Sequence, residues 1–259
     1  MKKNILTLIW CIMACVSFDV HAQGKLYCLI MADTNDPLVS RACYENERMI
    51  DSMMRSVASI VALDYRPTKL TGAKFTLNAV NDALKHINPS ENDIMVVYYT
   101  GHAWIVSDKT CEEFNRILQL KDGKFELAKI ELALAKKNAK FKLLLADCCS
   151  QLIRTKDAPQ LVPSGTKGAE TETRRKKNIQ QLLSYREKVI TAIASSCRHR
   201  GWCYENGGIF TRSFIRSFWE TTERQNITWK VLLENAKDKT KYLAFIKHRA
   251  YQIPVYKTQ

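Results

Sequence analysis

The chain has 259 residues, with 40 Lys+Arg against 26 Asp+Glu and a formal charge of +14. At 46% hydrophobic it is too apolar for a disordered chain, and nine Cys are too few for a disulfide scaffold. Nine Gly and six Pro are about half the usual share, which excludes a collagen and argues against a turn-dense β-barrel.

In chain order, the first 22 residues read as an address. Lys2 and Lys3 precede an apolar stretch of about 14 residues from Ile5 to Phe18, and Val20-His21-Ala22 closes it. That is the layout of a cleaved signal peptide, and it is short for a membrane span of about 20 residues. A lipoprotein signal anchored at Cys15 is a rival reading, although Met13 fits a lipobox poorly; a retained anchor is another. Cleavage after Ala22 leaves residues 23–259 as one domain with seven Cys and a charge of +13. Export to the periplasm or outside permits disulfides, and the odd count leaves one thiol free or paired between chains. No later stretch is long enough to span, so stable membrane insertion after signal removal is not expected.

The mature chain alternates apolar runs with amphipathic ones. Lys25–Ala32 is apolar and reads as a buried strand. Ala42–Leu63 reads as a helix, with Ile50, Met53, Met54, Val57, Ile60 and Val61 at three- and four-residue spacing. Thr76–Ile87 is a second helix, with Thr76 as N-cap and Asn88-Pro89 as stop. Asp93–Thr100 is a strand, Phe125–Lys137 a helix, and Phe141–Ala146 and Lys188–Ala194 are strands. Ile209–Trp219 and Ile227–Ala236 are helices, the latter capped by Asn226. The order predicts an α/β fold with a mostly parallel sheet. Residues 152–188 turn polar, with nine basic against four acidic residues and the run Arg174-Arg175-Lys176-Lys177. They read as a long loop.

In α/β sheets, sites gather at the carboxyl ends of the strands. One predicted strand runs into Gly101-His102 and another into Asp147-Cys148-Cys149. A thiol beside an imidazole makes a nucleophile: the imidazole takes the proton and the thiolate attacks a carbonyl. The 47 residues from His102 to Cys149 leave room for a parallel crossover. Successive residues of a strand face opposite ways, so only one of Cys148 and Cys149 can face His102.

Here the sequence resembles the caspase-like cysteine peptidases, on their metacaspase and clostripain-like side. The family carries a strand ending in Y-S-G-H-G and a later one ending in D-x-C; this chain has Tyr99-Thr100-Gly101-His102-Ala103 and Asp147-Cys148-Cys149. Asn35-Asp36-Pro37, Ala194-Ser195-Ser196, Gly208-Ile209-Phe210-Thr211 and Gln252-Ile253-Pro254 are similar in order, so the likeness spans residues 24–254. It implies the caspase–hemoglobinase α/β/α sandwich with a mostly parallel central sheet. It also implies a Cys-His dyad of His102 and Cys149, with Cys148 as rival, and an oxyanion hole from the Ala103 and Cys149 backbone N–H groups. Asp147 matches an acid that lines the S1 pocket and selects Arg or Lys, with Asp33 and Asp36 as further acids. The stretch after the catalytic strand is cut in caspases. Arg174, Arg175, Lys176 and Lys177 are therefore candidate self-processing sites of a zymogen, and Trp202, Tyr204 and Glu205 would border the cleft.

Two departures stand out. Ala103 replaces the usual Gly, and Ser150-Gln151 replaces H-S-G. They keep open the alternative of a catalytically inactive caspase-fold binding protein. The expected partner is a protein or peptide substrate. Nucleic acid is not expected, because no aromatic-basic motif accompanies the charge. No metal or other cofactor is expected, and nothing indicates calcium activation. Cys197, His199 and Cys203 lack the second pair of a zinc site, and a loop disulfide between Cys197 and Cys203 or buried thiols is the expectation. Oligomeric state is not set by these residues.

Overall fold

Four apolar runs of the sequence become the centre of one sheet. The computed structural model describes residues 24–105, 112–148, 151–153, 168–185 and 189–258. In chain order the strands and helices begin with β1 (Lys25–Ala32), α1 (Ser40–Val61), β2 (Asp64–Thr71), α2 (Leu77–His86), β3 (Ile94–Gly101) and β4 (Ala103–Ile105). Then come β5 (Arg116–Leu120), β6 (Gly123–Glu126), α3 (Leu127–Ala135), β7 (Phe141–Cys148), β8 (Gln151–Ile153) and α4 (Ala169–Leu182). The last are β9 (Val189–Ile193), β10 (Trp202–Tyr204), β11 (Gly207–Gly208), α5 (Ile209–Thr222), α6 (Trp229–His248) and β12 (Val255–Lys257).

The main sheet has six strands in the order β12-β9-β7-β3-β1-β2. All its pairings are parallel except β12 with β9. Every residue of β3 is buried, which explains why its sequence does not alternate: helices cover both faces. One face packs Ile50, Met54 and Val57 of α1, Ile179 of α4, Phe214 of α5 and Trp229 of α6 against Tyr98 and Leu143. The other packs Val80 of α2 and Ile130 of α3 against Tyr99 and Leu144. Each such side chain contributes about 1.5–3 kcal/mol by leaving water. The predicted α/β/α layering is the observed one.

Differences lie where a segment has little apolar surface of its own. β2 is an edge strand with Pro67 opposite Cys28, a position where proline is tolerated and few side chains are buried. Residues 152–188 are not one long loop, because Ala169–Leu182 form α4. Its buried seam is only Asn178, Ile179 and Leu182. Asn178 Nδ2 donates to the carbonyls of Thr222 (2.9 Å) and Arg224 (2.8 Å), Arg175 pairs with Glu223, and Arg174 pairs with Glu170 at 2.6 Å. Glu170 and Glu172 in the first turn suit the helix dipole. Residues 154–167 lie outside the described residues, as does the expected signal peptide. The cap of α6 also differs: Thr228, not Asn226, accepts from the Val231 N–H at 3.2 Å. Asn226 instead holds a left-handed turn at φ 56°.

Candidate active site

The carboxyl ends of β1, β3 and β7 meet at one edge of the sheet. Register pairs Thr100 with Asp147 and Gly101 with Cys148, so His102 is the next residue after β3's last pair. Its backbone is fixed from behind. The Tyr99 hydroxyl donates to the His102 carbonyl, which also accepts from Gln119 N at 2.9 Å. A Cβ at Gly101 would stand 2.7 Å from the Tyr99 hydroxyl and 3.0 Å from Asp33 Cβ, so this approach requires glycine. His102 and Gln119 form a bonded pair of an antiparallel ladder. By alternation, the next pair, Ala103 with Leu118, is non-bonded, and the Ala103 N–H points away from β5.

The His102 ring meets a carboxylate. Asp36 Oδ2 lies 3.3 Å from His102 Nε2. Asp36 Oδ1 accepts from the N–H groups of Leu38 (2.8 Å) and Val39 (3.2 Å), so the turn into α1 orients the acid. Asp33 sits behind it, its carboxylate accepting from Asn35 N (3.3 Å) and Asp36 N (3.2 Å). Burial raises the Asp33 pKa above the ordinary carboxylate value, although those two bonds oppose the rise.

Alternation along β7 sends Asp147 and Cys148 to opposite faces. Asp147 is fully buried on the α1/α5 side. Its Oδ2 accepts from Thr211 N (3.1 Å) and Thr211 Oγ1 (2.5 Å), near the N-terminus of α5. With the Thr211 proton given to Asp147, the Tyr98 hydroxyl donates to Thr211 Oγ1 at 2.6 Å. Asn46 ties the neighbourhood together: its Nδ2 donates to Thr100 Oγ1 (2.9 Å) and lies 3.5 Å from Asp147 Oδ2, while its Oδ1 accepts from Gly208 N (2.7 Å). A Cβ on Gly208 would stand 2.0 Å from Asp147 Oδ2, so only glycine lets the chain pass there.

Cys148 faces the other way, toward Leu118 and Tyr99. Burial pushes its thiol up to about 12; the Arg116 charge opposes the rise and the Asp147 charge adds to it. Such a thiol carries almost no thiolate at neutral pH. Cys148 and Arg116 line a cavity of about 630 Å³, together with Trp104, Arg198, His199 and Arg200. Arg116 is 4% exposed, and its Nη2 donates to the Ser195 carbonyl at 2.9 Å.

A family model described as the caspase domain matches residues 27–259. The chain belongs to the caspase-domain family. Among solved structures, caspase-1 from Spodoptera frugiperda is similar with a TM-score of 0.55 at 11% identity, over 91% of this chain and 87% of that one. A protein from Geobacter sulfurreducens is similar with a TM-score of 0.53 at 15% identity, over 90% and 92%. At such identities the likeness speaks for the fold. No curated protein matches in sequence.

The caspase domain brings together several of the residues singled out by sequence. His102, Ala103, Asp33 and Asp36 share the edge with the end of β7. Asp36 is turned to the histidine, and Asp147 is engaged by Thr211. Cys149 lies outside the described residues. Arg174, Arg175, Lys176 and Lys177 lie on α4 rather than in a loop. Cys197 is disulfide-bonded, but not to Cys203, which forms no disulfide. Among the described residues no three His, Cys, Asp or Glu side chains cluster as a metal site. No described helix is long and apolar enough to cross a membrane. Sequence reasoning missed Asn46, Arg116 and the cap that Thr211 gives Asp147. Thr211 lay within a noted motif; Arg116 had no signal among 40 Lys and Arg.

Proposed function

We propose that this caspase-domain protein is an exported cysteine endopeptidase using His102 and Cys149. The observation that carries the reading is the register of β3 on β7, which ends Thr100–Asp147, Gly101–Cys148. The next residue in sequence is His102 on one strand and Cys149 on the other. The raised Cys148 thiol, turned to the opposite face from Asp147, supports Cys149 over its neighbour as nucleophile. The signal-peptide layout of residues 1–22 supports export to the periplasm or beyond.

In this mechanism His102 donates Nε2–H to Asp36, which leaves Nδ1 to take the thiol proton. The Cys149 thiolate attacks the scissile carbonyl. The oxyanion formed is stabilised by the N–H groups of Ala103 and Cys149. The imidazolium, held by Asp36, returns its proton to the leaving amine. Water activated by His102 then hydrolyses the thioester. The chemistry needs neither metal nor other cofactor.

Asp147 supports cleavage after Arg or Lys, with Asp33 and Asp36 adding negative charge at the same edge. Thr211 and Gly208 close over the Asp147 carboxylate, so a basic side chain reaches it only when the turn from β10 to β11 moves. Self-processing at Arg174–Lys177 requires α4 to unwind, because cleavage needs an extended segment in the cleft. The closed Asp147 is also the observation that favours a second reading, a caspase-fold protein that binds peptide without cutting it. A fluorogenic panel with Arg, Lys, Asp or Ala before the reporter decides between them. We expect turnover of the Arg and Lys substrates that Cys149→Ala and His102→Ala abolish. Turnover that survives both substitutions, or none with any substrate, overturns the peptidase reading. A preference for Asp overturns the role of Asp147.

A further inference from the structure

Beside the site lies a charged cavity that shares Ala103 with the peptidase mechanism but whose arginines that mechanism does not use. It sits across β7 from Asp147, on the Cys148 side, between the strand that follows His102 and the 197–201 turn that follows β9. Among the described residues, three arginines and a histidine line it, and no Asp or Glu does. Arg116 is the unusual member. It is 4% exposed, its Nη1 is buried, and that atom has no hydrogen-bond partner. Glu113 is the nearby acid, but its Oε2 accepts from Cys197 N at 2.6 Å and makes no ion pair with Arg116 among the described residues. A buried guanidinium without a carboxylate costs stability, since the one bond to the Ser195 carbonyl replaces only part of the lost hydration. Such an arrangement persists when a ligand completes it.

We propose that this cavity binds a carboxylate of the peptide substrate, with Arg116 as the buried anchor and Arg198 and Arg200 at its mouth. The planar guanidinium suits a carboxylate bidentately, and the exposed arginines add attraction without a desolvation cost. The proposal rests on the peptide-substrate reading above. It places an acid recognition site on the opposite side of the sheet edge from the acid that would meet Arg or Lys. The carboxylate has two sources, an Asp or Glu side chain or the free C-terminus of the peptide.

The test measures binding rather than turnover, using the full chain carrying Cys149→Ala. Blocked alanine octapeptides with a single Arg are titrated, followed through the fluorescence of Trp104 and by calorimetry. Asp or Asn occupies each of the three positions after the Arg, with the C-terminus free or amidated. We expect at least one Asp peptide to bind about tenfold more tightly than its Asn counterpart, as a charge-assisted pair implies. Arg116→Gln should abolish that preference and Arg200→Gln should weaken it. Arg200 is exposed, so its variant keeps the fold whatever Arg116→Gln does, and the melting temperature of both is recorded. A preference for the free C-terminus over the amide, lost in the same variants, assigns the site to chain ends instead. Equal binding of acid and amide peptides overturns the proposal, and so does a preference that survives both substitutions. If the charge preference holds while the fluorogenic panel shows no turnover, the peptidase reading fails and the carboxylate site stands.

Discussion

The two sides of β7 treat buried polarity in opposite ways. On one side Asp147 is surrounded by Thr211 and Asn46, which in turn hold Tyr98, Thr100 and Gly208. On the other, Arg116, which lines a cavity, holds one carbonyl and leaves a buried Nη1 without a hydrogen-bond partner. A network closed on itself fixes the positions of strands and helix; an incomplete one leaves a polar group to be satisfied, here by the carboxylate proposed above. One residue of sequence, Asp147 against Cys148, separates the two because neighbours on a strand face opposite ways.

The largest effect is expected at the proposed His102–Cys149 dyad. Cys149→Ala or His102→Ala should lower kcat/KM by about a thousandfold or more in the fluorogenic assay, with little change in melting temperature. The two sides should then part on stability. Asp147→Ala leaves the donors of Thr211 and Asn46 buried and unpaired, and should cost about 3 kcal/mol in urea unfolding. Arg116→Met removes a buried, under-satisfied charge and should leave stability unchanged or higher. If Arg116→Met destabilises as much as Asp147→Ala, the two sides do not differ.

Smaller effects sharpen the picture. Asp36→Asn keeps the shape but weakens the hold on His102, and should lower kcat about tenfold with little change in KM. The Cys148 thiol, with its pKa raised from 9.0 to about 12, should resist iodoacetamide in the native protein at neutral pH, read by mass spectrometry. The linkage has a definite sign. A thiol raised on folding stabilises fully below about 9 and loses that contribution as pH rises toward about 12, because the unfolded chain releases its proton first. Melting temperature should therefore fall across that window, and fall less steeply in Cys148→Ala.

Much of the fold was legible because strands buried on both faces write themselves as continuous apolar runs. β1, β3, β7 and β9 are such runs, and α1 and α2 carry their spacing openly. The segments that escaped are those stabilised by what they touch. β2 is polar and rests on β1. α4 buries only three residues, and it is held by Asn178 on the end of α5 and by Arg175 on Glu223. Within the site, His102 and the Cys pair were legible as reactive residues at strand ends. Asp36 was legible only as an acid nearby, since its pairing with His102 depends on how the turn into α1 folds back over the edge.

Sequence by itself determined the layering, the strand that delivers His102 and the strand that leads to the Cys pair. These follow from burial and from the two-residue period of a strand, which are local properties. Tertiary structure alone decided which polar groups are satisfied. Asp147 is closed under Gly208 because a helix brings Thr211, 64 residues later, to it. Arg116 is left incomplete because β5 carries it beneath the turn after β9. Hydrogen bonds between distant segments depend on ångström-scale approach, and no spacing along the chain encodes that.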